Sequence, residues 1–348
     1  MNLTKSQTLA IENVLEYIHT TKGKSMDTIE MILYQSNINK TLSDLYFKNV
    51  KEASQIAMHF HPDRIYSEGM TVIDGLIQSG RYKNQYETNI SAGSISAFTG
   101  GGRDTWERKV FKDAYHSAAP KERPKYGALN LTITSDGPAP RFGSCFFLLK
   151  PEVNQRATFT YGDTYDSPKE IGTIDHFELI HEGVFKDLFT REMALGATKL
   201  TVEDFMVLIN TSFSQFQKDS AFRPASKNLD FYIETQIHGD VLLERDVDKL
   251  VADRSYLNTE FESLFKTLCE KYNIALVWNA GLELDVSDFP SNFRGPNVPE
   301  YAKKFGKDRK LNAYLLGKAA KDVGRDHESL QLLKYLWHCI VRFGHIIK

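Results

Sequence analysis

The stretch ALNLTITSDGPAPRFGSCFFLLKPEVNQRATFTY, residues 128–161, decides the fold class. Ala128 to Ile133 and Cys145 to Leu149 are short apolar runs, and Arg156 to Tyr161 alternates apolar and polar residues. Gly, Pro, Asn and Asp separate them, which is how strands joined by shaped loops read. The same texture runs from about residue 55 to residue 165. Gly93, Gly100, Gly101, Gly102, Gly127, Gly137, Gly143 and Gly162 crowd into this part, where backbone must turn sharply or approach a ligand closely.

On the N-terminal side the pattern turns helical. Ile11, Val14, Leu15 and Ile18 recur at helical spacing until Gly23 stops the run, Ile29, Ile32 and Leu33 mark a second helix, and Thr41-Leu42-Ser43-Asp44 resembles a capping box opening a third. On the other side Val202 to Phe216 reads as helix, and Leu229 to Gly239 alternates as a strand. Asp246 to Tyr272 reads as helix, Ile274 to Trp278 as strand, and Asp285 to Pro299 as a proline-rich loop. Leu330, Leu333, Trp337, Ile340 and Val341 lay a core-packing stripe along a closing helix. The expected organisation is a helical lead-in over 1–50, a catalytic domain over 51–250, and a mostly helical region over 251–348 packed on it, in an α+β fold.

The 348 residues carry 43 basic and 45 acidic side chains, a formal charge of -2, so there is no global field to attract nucleic acid or an anionic membrane. An anionic ligand must be held locally. No apolar run approaches the roughly 20 residues that span a bilayer, and the N-terminus leads into an amphipathic helix rather than a signal peptide. The expected location is the cytoplasm, of the producing cell or of a target cell reached by a specialised secretion system. Cys145, Cys269 and Cys339 lie far apart in apolar runs, as buried hydrophobes do.

Three constellations could carry chemistry. Met58-His59-Phe60-His61-Pro62-Asp63-Arg64 ends a strand whose alternation puts His59 and His61 on one face. These imidazoles suit either a metal pair, with Asp63 and a distant histidine such as His116, His176, His181 or His238, or donors that grip a ribose and phosphates. Arg64 favours the phosphate. The second runs from Gly80 through Gln85-Tyr86-Glu87-Thr88-Asn89-Ile90-Ser91-Ala92-Gly93 to Gly100-Gly101-Gly102-Arg103-Asp104, with the small hydroxyls, amides and glycines that recognise phosphate or ribose. It contains neither a P-loop nor a Rossmann fingerprint. The third is Glu234-Thr235-Gln236-Ile237-His238, whose Glu234 and Gln236 share a strand face and can hold two neighbouring hydroxyls.

His59-Phe60-His61-Pro62-Asp63-Arg64, Gln85-Tyr86-Glu87-Thr88-Asn89-Ile90-Ser91, Arg123-Pro124-Lys125-Tyr126-Gly127-Ala128-Leu129-Asn130, Pro140-Arg141-Phe142-Gly143-Ser144-Cys145, Gln236-Ile237-His238-Gly239, Phe293-Arg294-Gly295-Pro296 and Leu336-Trp337-His338 resemble a bacterial family known as domain of unknown function 3626. That resemblance supplies no activity. The order of the segments is more remotely similar to the mono-ADP-ribosyltransferase superfamily. His59 or His61 would end its first core strand, Thr71 to Gly80 would be the following helix, Tyr126 or Thr158-Phe159-Thr160 the hydroxyl-bearing strand, and Glu234-Thr235-Gln236 the last motif. Gln236 departs from the Glu usual there.

The resemblance implies an ADP-ribosyltransferase-like split β-sandwich core, NAD as cofactor, and a protein side chain as acceptor. It suits a bacterial toxin or effector delivered into a target cell. Glu234 would be the central carboxylate, with Gln236, His59 and His61 beside it. Arg64, Thr88, Ser91, Gly93, Tyr126, Arg141, Ser144, Thr158 and Thr160 would bind the cofactor, and no metal is expected. The alternatives are a metal-dependent hydrolase using His59, His61 and Asp63, and a non-catalytic nucleotide-binding module.

Overall fold

A computed structural model of the chain describes residues 3–67, 69–88, 97–306, 309–324 and 326–348. Eight strands are hydrogen-bonded into one sheet: β1 (Gln55–Phe60), β2 (Lys125–Asn130), β3 (Cys145–Leu149), β4 (Ala157–Tyr161), β5 (Ile171–Thr173), β6 (Ile233–Ile237), β7 (Val247–Asp253) and β8 (Ala275–Asn279). Their order is β8-β7-β3-β1-β2-β6-β4-β5. All neighbours are antiparallel except β7 and β8. With helices at both ends of the chain this is a mixed α+β fold, as the sequence predicts.

Among the described residues ten α-helices of eight or more residues flank the sheet: α1 (Lys5–Gln35), α2 (Lys40–Ala53), α3 (Val72–Ser79), α4 (Gly102–Phe111), α5 (Glu178–Arg191), α6 (Val202–Asp219), α7 (Glu260–Tyr272), α8 (Val298–Gly306), α9 (Ala313–Val323) and α10 (His327–Phe343). In the lead-in, α1 packs on α5 and α2 on α6; α3 packs on α7, and α10 on α8 and α9. Local chemistry sets several ends. Thr71 caps α3 through a reciprocal pair with Asp74, and Gly80 closes it in the left-handed conformation that glycine adopts at little cost. Asp326 caps α10 through the Ser329 amide. Among the described residues no helix is long and apolar enough to cross a membrane.

Some boundaries differ from the sequence reading. Gly23 does not end the first helix, which continues unbroken to Gln35; Ser25 hydrogen-bonds Glu182 of α5 at 2.5 Å, so tertiary packing carries the helix past the glycine. The cap of α2 is Asn39, whose side chain accepts from the Thr41 amide, rather than Thr41 itself. The strand expected through Ile133 stops at Asn130, and Ile133 has a positive φ of 48°. Asp246 to Tyr272 is not one helix: Val247–Asp253 is strand β7, enclosed by β3 and β8, and α7 begins only at Glu260. The boundary expected near residue 250 falls inside that strand.

One close approach fixes the far end of β1. Gly143, after the tight turn Pro140–Phe142, lies so near Phe60 that a Cβ would overlap the Phe60 backbone. Gly143→Ala is therefore expected to lower the unfolding free energy by roughly 1–3 kcal/mol. The check is a lower urea midpoint with an unchanged slope; an unchanged midpoint would mean that the turn does not seat on β1.

Candidate functional site

Strands β1, β2 and β6 are neighbours, and their register sets Ala57 opposite Ala128 and Ala128 opposite Glu234. Two alanines in this row leave a hollow over the sheet. Its walls are α3, residues 81–88, Arg103 and Trp106 of α4, the turn holding Ala139 to Phe142, Asp163 to Tyr165, and Lys334 of α10. The cavity volume is about 440 Å³, within the usual range for small-molecule sites. The three segments compared with the transferase superfamily thus lie side by side as its floor.

Glu234 is the carboxylate of the floor, with 7 % of its surface exposed. Its Oε1 accepts from Thr164 Oγ1 at 2.5 Å and from Gln236 Nε2 at 3.1 Å. Burial, and after it the negative charge of Asp163, pushes its pKa up to about 7 against the opposing pull of Thr164, Arg103 and Gln236.

Behind Gln236 the hydrogen bonds form a directed chain. Thr158 Oγ1 donates to Gln236 Oε1 at 2.9 Å, so its contact with His238 Nε2 at 3.1 Å must be an acceptance. His238 is neutral, its pKa pulled down to about 3 by burial, and with its proton on Nε2 its Nδ1 accepts from Tyr115 at 2.6 Å. Every donor from Tyr115 onward points toward Glu234.

Cations face this carboxylate. Arg103 lies 4.3 Å over the Tyr126 ring. Beneath it Arg123 joins Asp104 at 2.8 Å and Glu107 at 2.7 Å, and Tyr126 donates to Glu107 at 2.7 Å. Arg64 Nη1, Arg103 Nε and Gln85 Oε1 are buried and find no hydrogen-bond partner among the described residues. Unmatched buried polar groups are costly; a ligand's acceptor oxygens would satisfy the two arginine donors, and its hydroxyl would satisfy the Gln85 oxygen.

The structure divides the candidate residues. Glu234, His61, Arg64, Thr88, Tyr126 and Arg141 line the cavity. Gln236, Thr158 and Thr160 do not: each is fully buried, and their polar groups are spent on one another, on His238 and on the Gly162 carbonyl. Ser144 lies elsewhere, against Cys145, at a separate space of about 20 Å³. Ser91 and Gly93 fall outside the described residues. Thr88 Oγ1 donates to the Asn84 carbonyl at 3.1 Å.

His59 touches the cavity but has no nitrogen to offer it. Nδ1 is 3.0 Å from the Gly143 carbonyl, and Nε2 accepts from the Ala139 amide at 3.3 Å. Asp63 turns to the other side, accepting from Tyr256 at 2.6 Å and packing on Gly317. His59, His61 and Asp63 therefore do not converge as metal ligands. Among the described residues no group of three or more His, Cys, Asp or Glu is arranged to hold a metal ion. Asp163, Thr164 and Lys334 were missed; the turn-like Gly162-Asp163-Thr164 after a strand was the one local signal for the first two.

Comparison with known proteins matches residues 55–343 to the family described as protein of unknown function (DUF3626). The chain is also 28 % identical to the Gene 2 protein of Mycobacterium phage L5 over 205 residues, covering 58 % of this chain and 70 % of the relative. It is 27 % identical to the Gene 2 protein of Mycobacterium phage D29 over 236 residues, covering 63 % and 76 %.

The His59 contacts predict a pH effect. Burial holds its pKa down to about 4, although the bond to Gly143 pulls the other way, whereas the unfolded chain protonates it near 6.5. Its contribution to stability is full above pH 6.5 and is lost as pH falls toward 4. Between pH 7 and 5 the parent should lose roughly 2 kcal/mol more than His59→Gln, read from urea unfolding; equal losses would show that His59 is not held neutral.

Proposed function

The chain belongs to the DUF3626 family, and from that premise we propose that it is an NAD-dependent mono-ADP-ribosyltransferase acting on a protein side chain. The observation that carries the reading is Glu234: a buried carboxylate with a raised pKa, on the floor of a cavity whose cationic walls hold buried donors without partners. A molecule that brings both hydroxyls and phosphates suits such a site, and NAD has both. The reading carries with it an ADP-ribosyltransferase-like split core within the eight-stranded order. It also includes a toxin or effector role in a target cell.

In this mechanism the bond between nicotinamide and the ribose anomeric carbon breaks, and its electron pair leaves with nicotinamide. Ionised Glu234 accepts the ribose 2'-hydroxyl and stabilises the positive charge developing on the sugar, which is preorganised electrostatic catalysis. Gln236 is a positioning residue, because its amide is committed to Glu234, Thr158 and Thr160. Arg64 and Arg103 offer donors to the pyrophosphate oxygens. The nucleophile of the acceptor, or water in its absence, takes the anomeric carbon and gives up its proton to solvent.

The purified protein should bind NAD and slowly release nicotinamide without any acceptor. Glu234→Gln should lower that release by roughly 100-fold or more with little change in NAD affinity. Because the active form is the carboxylate and burial holds its pKa up at about 7, the parent's rate should rise as pH increases through 7 and then level. NAD binding without release, with and without cell extract, would leave a binding module; absence of both by calorimetry and nicotinamide assay would remove the transferase.

A further inference from the structure

One group of cations has no role in that chemistry. Arg141 comes from the turn Pro140–Phe142, Arg294 from the loop before α8, and Lys334 from α10. Arg141 and Lys334 line the cavity at its α10 end, and Arg294, which does not line it, is near enough for its charge to act on Lys334. The acids nearby do not balance this charge. Asp230 accepts from Arg141 at 2.8 Å and lies 3.7 Å from Arg294, yet it is more than half exposed. The acid that acts on Lys334 is Asp163, and it belongs to the Glu234 side of the cavity.

The guanidiniums also keep unmet donors. Arg141 Nε and Arg294 Nε are buried with no hydrogen-bond partner among the described residues. The lysine registers the crowding: burial and then the charges of Arg141 and Arg294 bring its pKa down to about 8. His338, one turn along α10, is held neutral, its pKa pulled to about 2 by burial and the same three cations. A half-buried cluster of like charges at a cavity wall costs free energy unless an anion completes it.

We propose that Arg141 and Lys334, backed by Arg294, form an oxyanion subsite that receives a phosphate group at the α10 end of the cavity. A guanidinium and an ammonium at the cavity wall, with the charge of a second guanidinium behind them, suit a phosphate dianion, which accepts from several donors at once. The subsite deepens the transferase reading by adding a second anion contact beside the Glu234 row. The phosphate comes either from the dinucleotide itself or from the acceptor. The charge argument stands without any transfer reaction.

The test is calorimetry with inorganic pyrophosphate on the full chain. Lys334→Met should raise the dissociation constant by at least ~10-fold, and Lys334→Arg should restore it, with melting temperatures confirming folded variants. The parent should bind less tightly as pH rises through 8, when Lys334 loses its proton in the company of Arg141, Arg294 and Asp163, whereas Lys334→Arg should not. Pyrophosphate that displaces NAD assigns the subsite to the dinucleotide; simultaneous binding assigns it to the acceptor. Failure of the parent to bind pyrophosphate, or equal binding by Lys334→Met, overturns the proposal. Pyrophosphate binding that depends on Lys334 without nicotinamide release keeps the subsite and removes the transferase; the reverse pattern does the opposite.

Discussion

Taking the Glu234 carboxylate out of water is the constraint around which the centre of the molecule is arranged. A buried carboxylate must find donors or stay protonated. Here the donors come from three places: Thr164 from the turn after β4, Gln236 from the same strand, and the charge of Arg103 from α4. Gln236 faces Glu234 with its NH2 because Thr158 donates to its carbonyl, and the Thr158 proton is directed there because His238 Nε2–H donates to the Thr158 oxygen. The rotamer of one residue is thus set by a chain that ends at Tyr115, just past α4.

The ionic cluster under α4 serves the same end. Arg123, Asp104 and Glu107 are all nearly inaccessible, and a buried ion pair of this kind gives little net stability over a well-packed apolar alternative. It does fix position. Asp104 and Glu107 lie on one face of α4, so their bonds to Arg123 set the rotation of the helix. Arg103 is then carried over Tyr126 at the cavity wall.

Much of this was legible where the signal was local. The three strands in residues 128–161, the α3 helix between Thr71 and Gly80, and the alternation that puts Glu234 on a sheet face are written in consecutive residues. The parts that were not legible depend on distant partners. His59 looked like a donor for a ligand because nothing nearby reveals that Gly143 and Ala139, more than 75 residues on, take both nitrogens. Thr158 and Thr160 share a strand face with pocket residues by alternation, yet the chain to His238 closes over them. Val247 to Asp253 resembled helix because its identity as a strand comes from β3 and β8 on either side. Lys334 sits at the edge of the apolar stripe itself, one turn from Leu330 and Trp337, where the stripe reads as core packing.

The lysine of α10 also ties the site to the order in which the chain is made. Trp337, on the same helix, donates to the Pro140 carbonyl at 2.8 Å and meets the His61 ring at 5.5 Å, so α10 is seated directly on the cavity rim. Glu234 leaves the ribosome before Lys334 by 100 residues, which at ordinary rates of synthesis is roughly 5–20 s. During that interval the nascent chain holds the floor of the pocket without its last cationic wall. A chain cut short before α10 therefore carries the carboxylate of the floor without the lysine of the wall.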